Sequence, residues 1–239
     1  MLARIIIFIF VVDIFILSDA ATEPANFRWT AYLNRESGIA NSREESSATF
    51  HRASRNRSIT ATAHQIIEDY PKFLTRPSLT LGMLTTKNLS GKKTDLCTSI
   101  GSLGLLSFGS LTATPKKVCN KLAKLYSGTV ICSDEIPILG GLLAQSSIRD
   151  FKNRSGDEGR LRFTLIRKID STTSNLLKTI LVTEIVGPYK PSIAGKSYPR
   201  SKFRSQMYYA TQRMFHEYVM WRFHRQFMRE LERNLNCLD

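Results

Sequence analysis

The sequence predicts an α+β fold: an antiparallel hairpin or small sheet packed with a long C-terminal helix and stabilised by disulfides. Three observations predict it. Arg160 to Arg167 alternates apolar and polar side chains, with Leu161, Phe163 and Leu165 on one face, and Leu177 to Val186 is rich in β-branched residues; the two read as an antiparallel hairpin with one buried face. From about Ser201 to Asn236 the chain carries helix formers and neither Gly nor Pro. Four cysteines, Cys97, Cys119, Cys132 and Cys237, follow a secretory-type leader. In an oxidising compartment that even number implies two bridges, of which Cys97–Cys119 with Cys132–Cys237 is the preferred pairing.

The leader is Met1 to Ala20. Arg4 supplies a positive start, Ile5 to Leu17 is apolar apart from Asp13, and Ser18-Asp19-Ala20 places small residues before a cut. This is the anatomy of a cleaved signal peptide, and the run is short of a spanning helix. The expected localisation is extracellular, with no membrane-spanning segment. Three sequons, at Asn56, Asn88 and Asn153, then become candidate glycosylation sites.

Residues 21–60 read as a flexible polar segment. Phe27 to Leu33 is a small apolar island, but residues 34–60 are dominated by Ser, Arg, Asn and Glu. Such a stretch buries too little apolar surface to offset its ordering entropy. Arg52-Ala53-Ser54-Arg55 fits a minimal R-x-x-R cleavage pattern, so a pro-segment is one reading. The folded domain is expected over 61–239, large enough for one core.

Within it, Ala61 to Tyr70 is a short helix that Pro71 stops. Leu79 to Leu84 is a strand candidate. Cys97 to Leu111 is small and apolar, with three glycines. Pro115 opens a helix over Lys116 to Tyr126, and Gly128 closes it. Thr129 to Cys132 is a short strand, and Ile136 to Ala144 an apolar turn. In the hairpin the alternation slips at Ile166, which predicts a bulge. Ser171 to Asn175 is its turn, and Pro188 to Arg200 a loop.

On the C-terminal helix, 100° steps place Met207, Tyr208, Met214, Phe215, Tyr218 and Val219 on one face. Met220, Trp221, Phe227, Met228, Leu231 and Leu235 fall on roughly the opposite face. Either the helix kinks near Val219, or one helix is buried on different sides at its two ends. His216 and His224 stand eight residues apart, about 80° around the axis and roughly 12 Å along it. They cannot share a metal on a straight helix, and Met220 breaks an H-E-x-x-H pattern. No metal or cofactor is expected. His224 reads as a core histidine.

Charge points to partners. The chain carries +14, and about +15 without the leader, which holds Arg4 against Asp13 and Asp19. Such an excess attracts glycosaminoglycans, anionic lipid surfaces or nucleic acid. It concentrates twice. Lys116, Lys117, Lys121 and Lys124 share a short helix, and the last three fall at i, i+4 and i+7. Arg222, Arg225, Arg229 and Arg233 form one flank of the C-terminal helix, where Glu230 and Glu232 interrupt the charge and Glu230 can pair with Arg233.

Catalytic motifs are missing: no G-x-S-x-G elbow, P-loop or Rossmann glycine pattern occurs. His64 and His216 are the acid–base candidates, as in a nuclease with a lysine on phosphate. The layout resembles that of secreted effectors of plant-infecting microbes. The R-x-L-R motif of the oomycete class is absent and Ser42-Arg43-Glu44-Glu45 is a poor acidic companion, so the resemblance assigns no residue a role. The leading expectation is a secreted, basic, non-enzymatic glycoprotein: a ligand, effector or matrix-associated factor that binds a polyanion or a cell-surface protein. The alternative is a secreted hydrolase or nuclease.

Overall fold

A single antiparallel sheet organises the chain. This computed structural model describes residues 27–34, 36–51, 56–80, 83–89, 93–98, 104–141, 143–144, 159–169, 176–191 and 202–236. The strands are β1 (Arg28–Leu33), β2 (Ala40–His51), β3 (Leu84–Leu89), β4 (Lys93–Thr98), β5 (Gly104–Phe108), β6 (Thr112–Ala113), β7 (Thr129–Gly140), β8 (Arg160–Ile169) and β9 (Leu176–Val186). Their order is β1-β2-β9-β8-β7-β5-β4-β3, and the two residues of β6 also pair with β7. The α+β class is as expected; the sheet, with nine strands among the described residues, is far larger than the hairpin visible in the sequence.

Helices cover both faces. On the inner face lie α1 (Asn56–Glu68), two single turns α2 (Tyr70–Phe73) and α3 (Pro77–Thr80), and the C-terminal helix. That helix runs as α5 (Lys202–Tyr208), a π-turn (Tyr209–Arg213) and α6 (Met214–Asn236). On the outer face lies α4 (Lys116–Tyr126). Strand alternation decides which residue meets which layer. Leu161, Phe163 and Leu165 of β8 face the main core, where Tyr70, Phe73, Phe163 and Phe223 pack at ring-centroid distances of 5.0–6.3 Å.

Ile166 explains the slip in alternation. No bulge interrupts β8 against β9, which stay in register from Arg160↔Val186 to Ile169↔Leu177. Instead Ile166 points outward and is buried with Val182 under Leu122 of α4. A strand covered on both faces loses its alternation without any backbone irregularity. The irregularity lies on β7, between Val130 and Cys132.

The α4 helix matches the expected limits, with Pro115 at the N-cap. Its end differs in detail. Ser127 takes the left-handed conformation (φ 49°), while Gly128 passes so close to β8 that a Cβ would sit 2.7 Å from the Arg167 carbonyl oxygen. Two other local readings change. Pro77–Thr80 is helical, so the strand expected from Leu79 begins only at Leu84, and β7 runs through to Gly140 where a turn was expected after Ile136.

The C-terminal helix does not break at Val219. Tyr218, Val219, Met220 and Trp221 are four consecutive buried residues, because α6 packs on β2 of the sheet and on α1, which lies beside it. The discontinuity lies upstream, in the π-turn. There the Leu33 amide donates to the Tyr209 hydroxyl (3.1 Å), and the Arg213 guanidinium lies 4.3 Å from the Trp29 ring centre.

Two larger expectations are corrected. The stretch expected to be flexible, 21–60, contains β1, β2 and the start of α1. β2 orders although its middle, Asn41 to Ser47, has no apolar residue, because its inward Ser42, Glu44 and Ser46 meet polar groups and its outward Arg43 and Glu45 join an ion-pair row. The bridges are not formed either: Cys97, Cys119 and Cys132 are free thiols. Cys97 sits on β4, separated from β7 by β5, whereas Cys119 is on the outer helix with its Sγ toward the Thr114 carbonyl (3.8 Å). Cys132 is enclosed in the core. The leader, Arg52–Arg55, Asn153, the hairpin turn and Cys237 lie outside the described residues, as do the side chains of Asn56 and Asn88.

Candidate functional site

The outer lysines come first. α4 docks through Val118, Leu122 and Tyr126, one helical face at i, i+4 and i+8. That choice turns Lys117, Lys121 and Lys124 to solvent, with Lys116 exposed beside them. The helix contains no acidic residue, and among the described residues none of the four lysines makes an ion pair. Leu125, 64% exposed, adds an apolar spot to the same surface.

The arginines of α6 are differently placed. α4 lies on the outer face and α6 on the inner one, so the two basic clusters do not form one surface. Arg222 and Arg225 lie 6.0 and 5.6 Å from the Trp221 ring centre, a cation–π arrangement. Arg229 and Arg233 are exposed. Glu230 does not take Arg233: it accepts from Gln226 and lies 3.9 Å from Arg76. Arg225 and Arg229 instead line a groove of about 230 Å³, whose other wall is Ser46 to Phe50 of β2. Met228, Glu232 and His224 complete it.

The histidines form the third feature. α6 runs alongside β2: His216 Nε2 is 3.0 Å from Ser42 Oγ, and His224 Nδ1 is 2.9 Å from Ser46 Oγ. Four strand residues and eight helical residues both advance about 12–13 Å, so the spacings match. His224 is fully buried and also holds Thr183 Oγ1 at 2.8 Å through Nε2. Two hydroxyls satisfy both ring nitrogens of a neutral imidazole. Burial, with the charge of His216 behind it, pulls the His224 pKa down to about 3.

Between the two histidines sits Glu44, with no exposed surface. Its Oε1 is 3.2 Å from His216 Nε2, but neither carboxylate oxygen has an aligned donor among the described residues. Ser42 and Glu44 both approach the same imidazole nitrogen. A nucleophile–base–acid relay needs the carboxylate on one nitrogen and the hydroxyl on the other, so this trio is not one.

His64 presents the more open dyad. Its Nδ1 is 2.6 Å from Asp134 Oδ2; the carboxylate is 3% exposed and the imidazole 45%. Burial raises the Asp134 pKa, and His64 opposes that shift. Glu44 and Asp134 lie in one cross-strand row, through Thr183 and Phe163, three strands apart. At usual strand spacing that is about 14 Å, so His64 and His216 do not converge on one reacting centre. The sequence singled out both histidines; it gave no sign of Asp134 or Glu44 as their partners, because those lie 70 and 172 positions away in segments read as adjacent acids and polar linker.

No candidate metal-binding group of three or more His, Cys, Asp or Glu side chains occurs among the described residues, and no helix among them is long and apolar enough to cross a membrane. No family model matches the chain, and no curated protein matches it. Among solved structures it is similar to a crystal structure of Ara h 8.0201, at 9% identity and TM-score 0.26, covering 74% of this chain and 98% of that one. It is also similar to the Zhui aromatase/cyclase from Streptomyces sp. R1128, at 9% identity and TM-score 0.31, covering 77% and 95%. Function is therefore read from the chain's own geometry.

Proposed function

We propose that the protein is a secreted, basic, non-enzymatic binding protein that engages a polyanion through the outer face of α4. One observation carries this reading: four exposed lysines on one short helix with no acid on that helix and no ion pair among the described residues. Unpaired cations held at fixed spacing release counterions when they meet a polyanion, and that release favours binding. The lysines take no part in docking α4, which is anchored by its opposite face.

The test is elution of the secreted protein from heparin and from a cation exchanger of matched charge density, against salt. Later elution from heparin, lost in Lys117→Ser/Lys121→Ser/Lys124→Ser with the circular dichroism unchanged, is the expected result. Equal elution from the two columns would overturn it.

The His64–Asp134 contact favours a second reading, a secreted hydrolase or nuclease. A buried carboxylate 2.6 Å from Nδ1 of a half-exposed imidazole leaves Nε2 for proton transfer. That reading requires hydrolysis of RNA or DNA by the purified protein, abolished in both His64→Ala and Asp134→Asn.

A further inference from the structure

Lys168 of β8 stands directly opposite Lys178 of β9, at the end of the hairpin beside α4. We infer that the α4 site continues over the C-terminal end of that helix onto this lysine pair, and that the longer track takes an extended sulfated polysaccharide; the inference rests on the polyanion reading of α4. Alternation sets both lysines on the outer face, with Ile166 and Ile180 two positions away under α4. Like charges directly opposite each other on paired strands destabilise a sheet. Both side chains are exposed, and neither makes an ion pair among the described residues. The next position in the row, Thr49 of β2, is also exposed and brings a hydroxyl in place of an acid. The fold thus holds two repelling ammonium groups together with nothing to relieve them, an arrangement that a bound anion stabilises.

Gly128 joins the pair to α4. It follows Lys124 by four residues and packs against the carbonyl of Arg167, the residue before Lys168. The end of α4 is therefore seated beside the two lysines. Lys117 to Lys124 spans about 10 Å along the helix axis, and Lys168 and Lys178 are about 4.8 Å apart, one strand spacing. With the helix end between them, the track covers roughly 20 Å. Acids of the outer face do not offset it: Glu45, Glu184 and Glu135 are held by Arg43, Arg162 and Arg160. The chemistry of the track selects the ligand class. Lysine ammonium groups are point charges, without the guanidinium fork that reads phosphates and base edges bidentately. No aromatic face of α4 is presented for bases to stack on. Tyr126, the one aromatic residue of that helix, turns to the sheet, with its hydroxyl on Glu45 and its ring against Arg43. What is left is recognition of charge along a chain, which the sulfate groups of a polysaccharide supply.

The probes are heparin fragments of two sizes, one short enough to lie on α4 alone and one long enough to span the track. Each is titrated into the full-length secreted protein, with binding read by calorimetry at several salt concentrations. The long fragment should bind about tenfold more tightly than the short one. Lys168→Ser/Lys178→Ser should remove that advantage and leave the short fragment's affinity unchanged. It should also make the salt dependence of the long fragment shallower by about two counterions, one per lysine. The same variant should unfold at a temperature equal to or above that of the parent, since a repulsive pair is gone, so its weaker binding does not come from a damaged fold. Lys117→Ser/Lys121→Ser/Lys124→Ser should weaken both fragments. Long-fragment binding that is unchanged in Lys168→Ser/Lys178→Ser, while the α4 variant still weakens it, would overturn the extension and leave the α4 reading standing. Binding of neither fragment would overturn both. Equally tight binding of a single-stranded oligonucleotide as long as the track would overturn the choice of a polysaccharide.

Discussion

Glu44 and Asp134 share one cross-strand row on the inner face of the sheet, and each meets a histidine from a different helix: His216 of α6 at 3.2 Å and His64 of α1 at 2.6 Å. The two carboxylates anchor the two longest inner helices to opposite halves of the sheet. They differ in surroundings. Asp134 touches a half-exposed imidazole, while Glu44 is enclosed completely with its partner three-quarters buried.

From this follows a stability prediction at Glu44. His216→Ala removes the imidazole that contacts a fully buried carboxylate and should destabilise by about 3 kcal/mol, the usual cost of orphaning one member of a buried pair. Replacing both groups, in Glu44→Leu/His216→Leu, removes the desolvated charge as well and should recover most of that loss. Urea unfolding of the single and double variants measures it. A double variant no more stable than His216→Ala would mean that Glu44 contributes through something other than its charge.

His224 predicts a pH dependence. Above about pH 6.5 the imidazole is neutral in both folded and unfolded chains and contributes no slope. Below that the unfolded chain takes up a proton that the folded one refuses down to about 3. Stability should therefore fall with pH through this window, approaching about 1.4 kcal/mol per pH unit. His224→Gln cannot titrate, so it should lose about 3 kcal/mol less than the parent between pH 7.5 and 4.5. Parallel denaturant curves at the two pH values test this; equal losses would mean the His224 ring is protonated in the fold.

The outer face carries its own row at the adjacent register. Arg162 bridges Glu135 at 2.8 Å and Glu184 at 3.5 Å, and Arg43 continues from Glu184 at 3.3 Å to Glu45 at 2.9 Å. Glu135 is 3% exposed and also holds Arg160 at 3.3 Å. Arg162→Ala should cost about 2 kcal/mol, because Glu135 and Glu184 lose their shared hydrogen-bonding cation but keep Arg160 and Arg43. Arg43, with a third of its side chain exposed, should cost about 1 kcal/mol or less when changed to Ala. The ranking of the two urea midpoints decides it.

These rows also explain what the sequence could and could not reveal. The β8–β9 hairpin and α4 were legible because their burial is apolar: alternation marks the strands, and Val118, Leu122 and Tyr126 mark the docked face. β2 was not legible. Its order rests on His216, His224, Thr183, Glu184 and Val182, all more than 130 positions downstream, and its own composition is that of a linker. Lysine exposure on α4 could be read from spacing alone, whereas the grouping of Arg225 and Arg229 with Ser46 to Phe50 needed the packing of α6 on β2. Cysteine number misled for a related reason: it reports what an oxidising compartment permits, while pairing requires Cα atoms within about 7 Å.

The thiols give the last prediction. Cys97 and Cys132 are buried and Cys119 is half-buried on α4. Burial, followed by the neighbouring Asp134 charge, pushes the Cys132 thiol up to about 12, and only a thiolate reacts readily. In the native protein an alkylating reagent at pH 8 should therefore label Cys119 first and leave Cys132 unmodified. In denaturant, without reductant, Cys97, Cys119 and Cys132 should all be labelled, which peptide mapping by mass spectrometry reads site by site. Labelling of these three only after reduction would mean that they are bridged in the secreted protein.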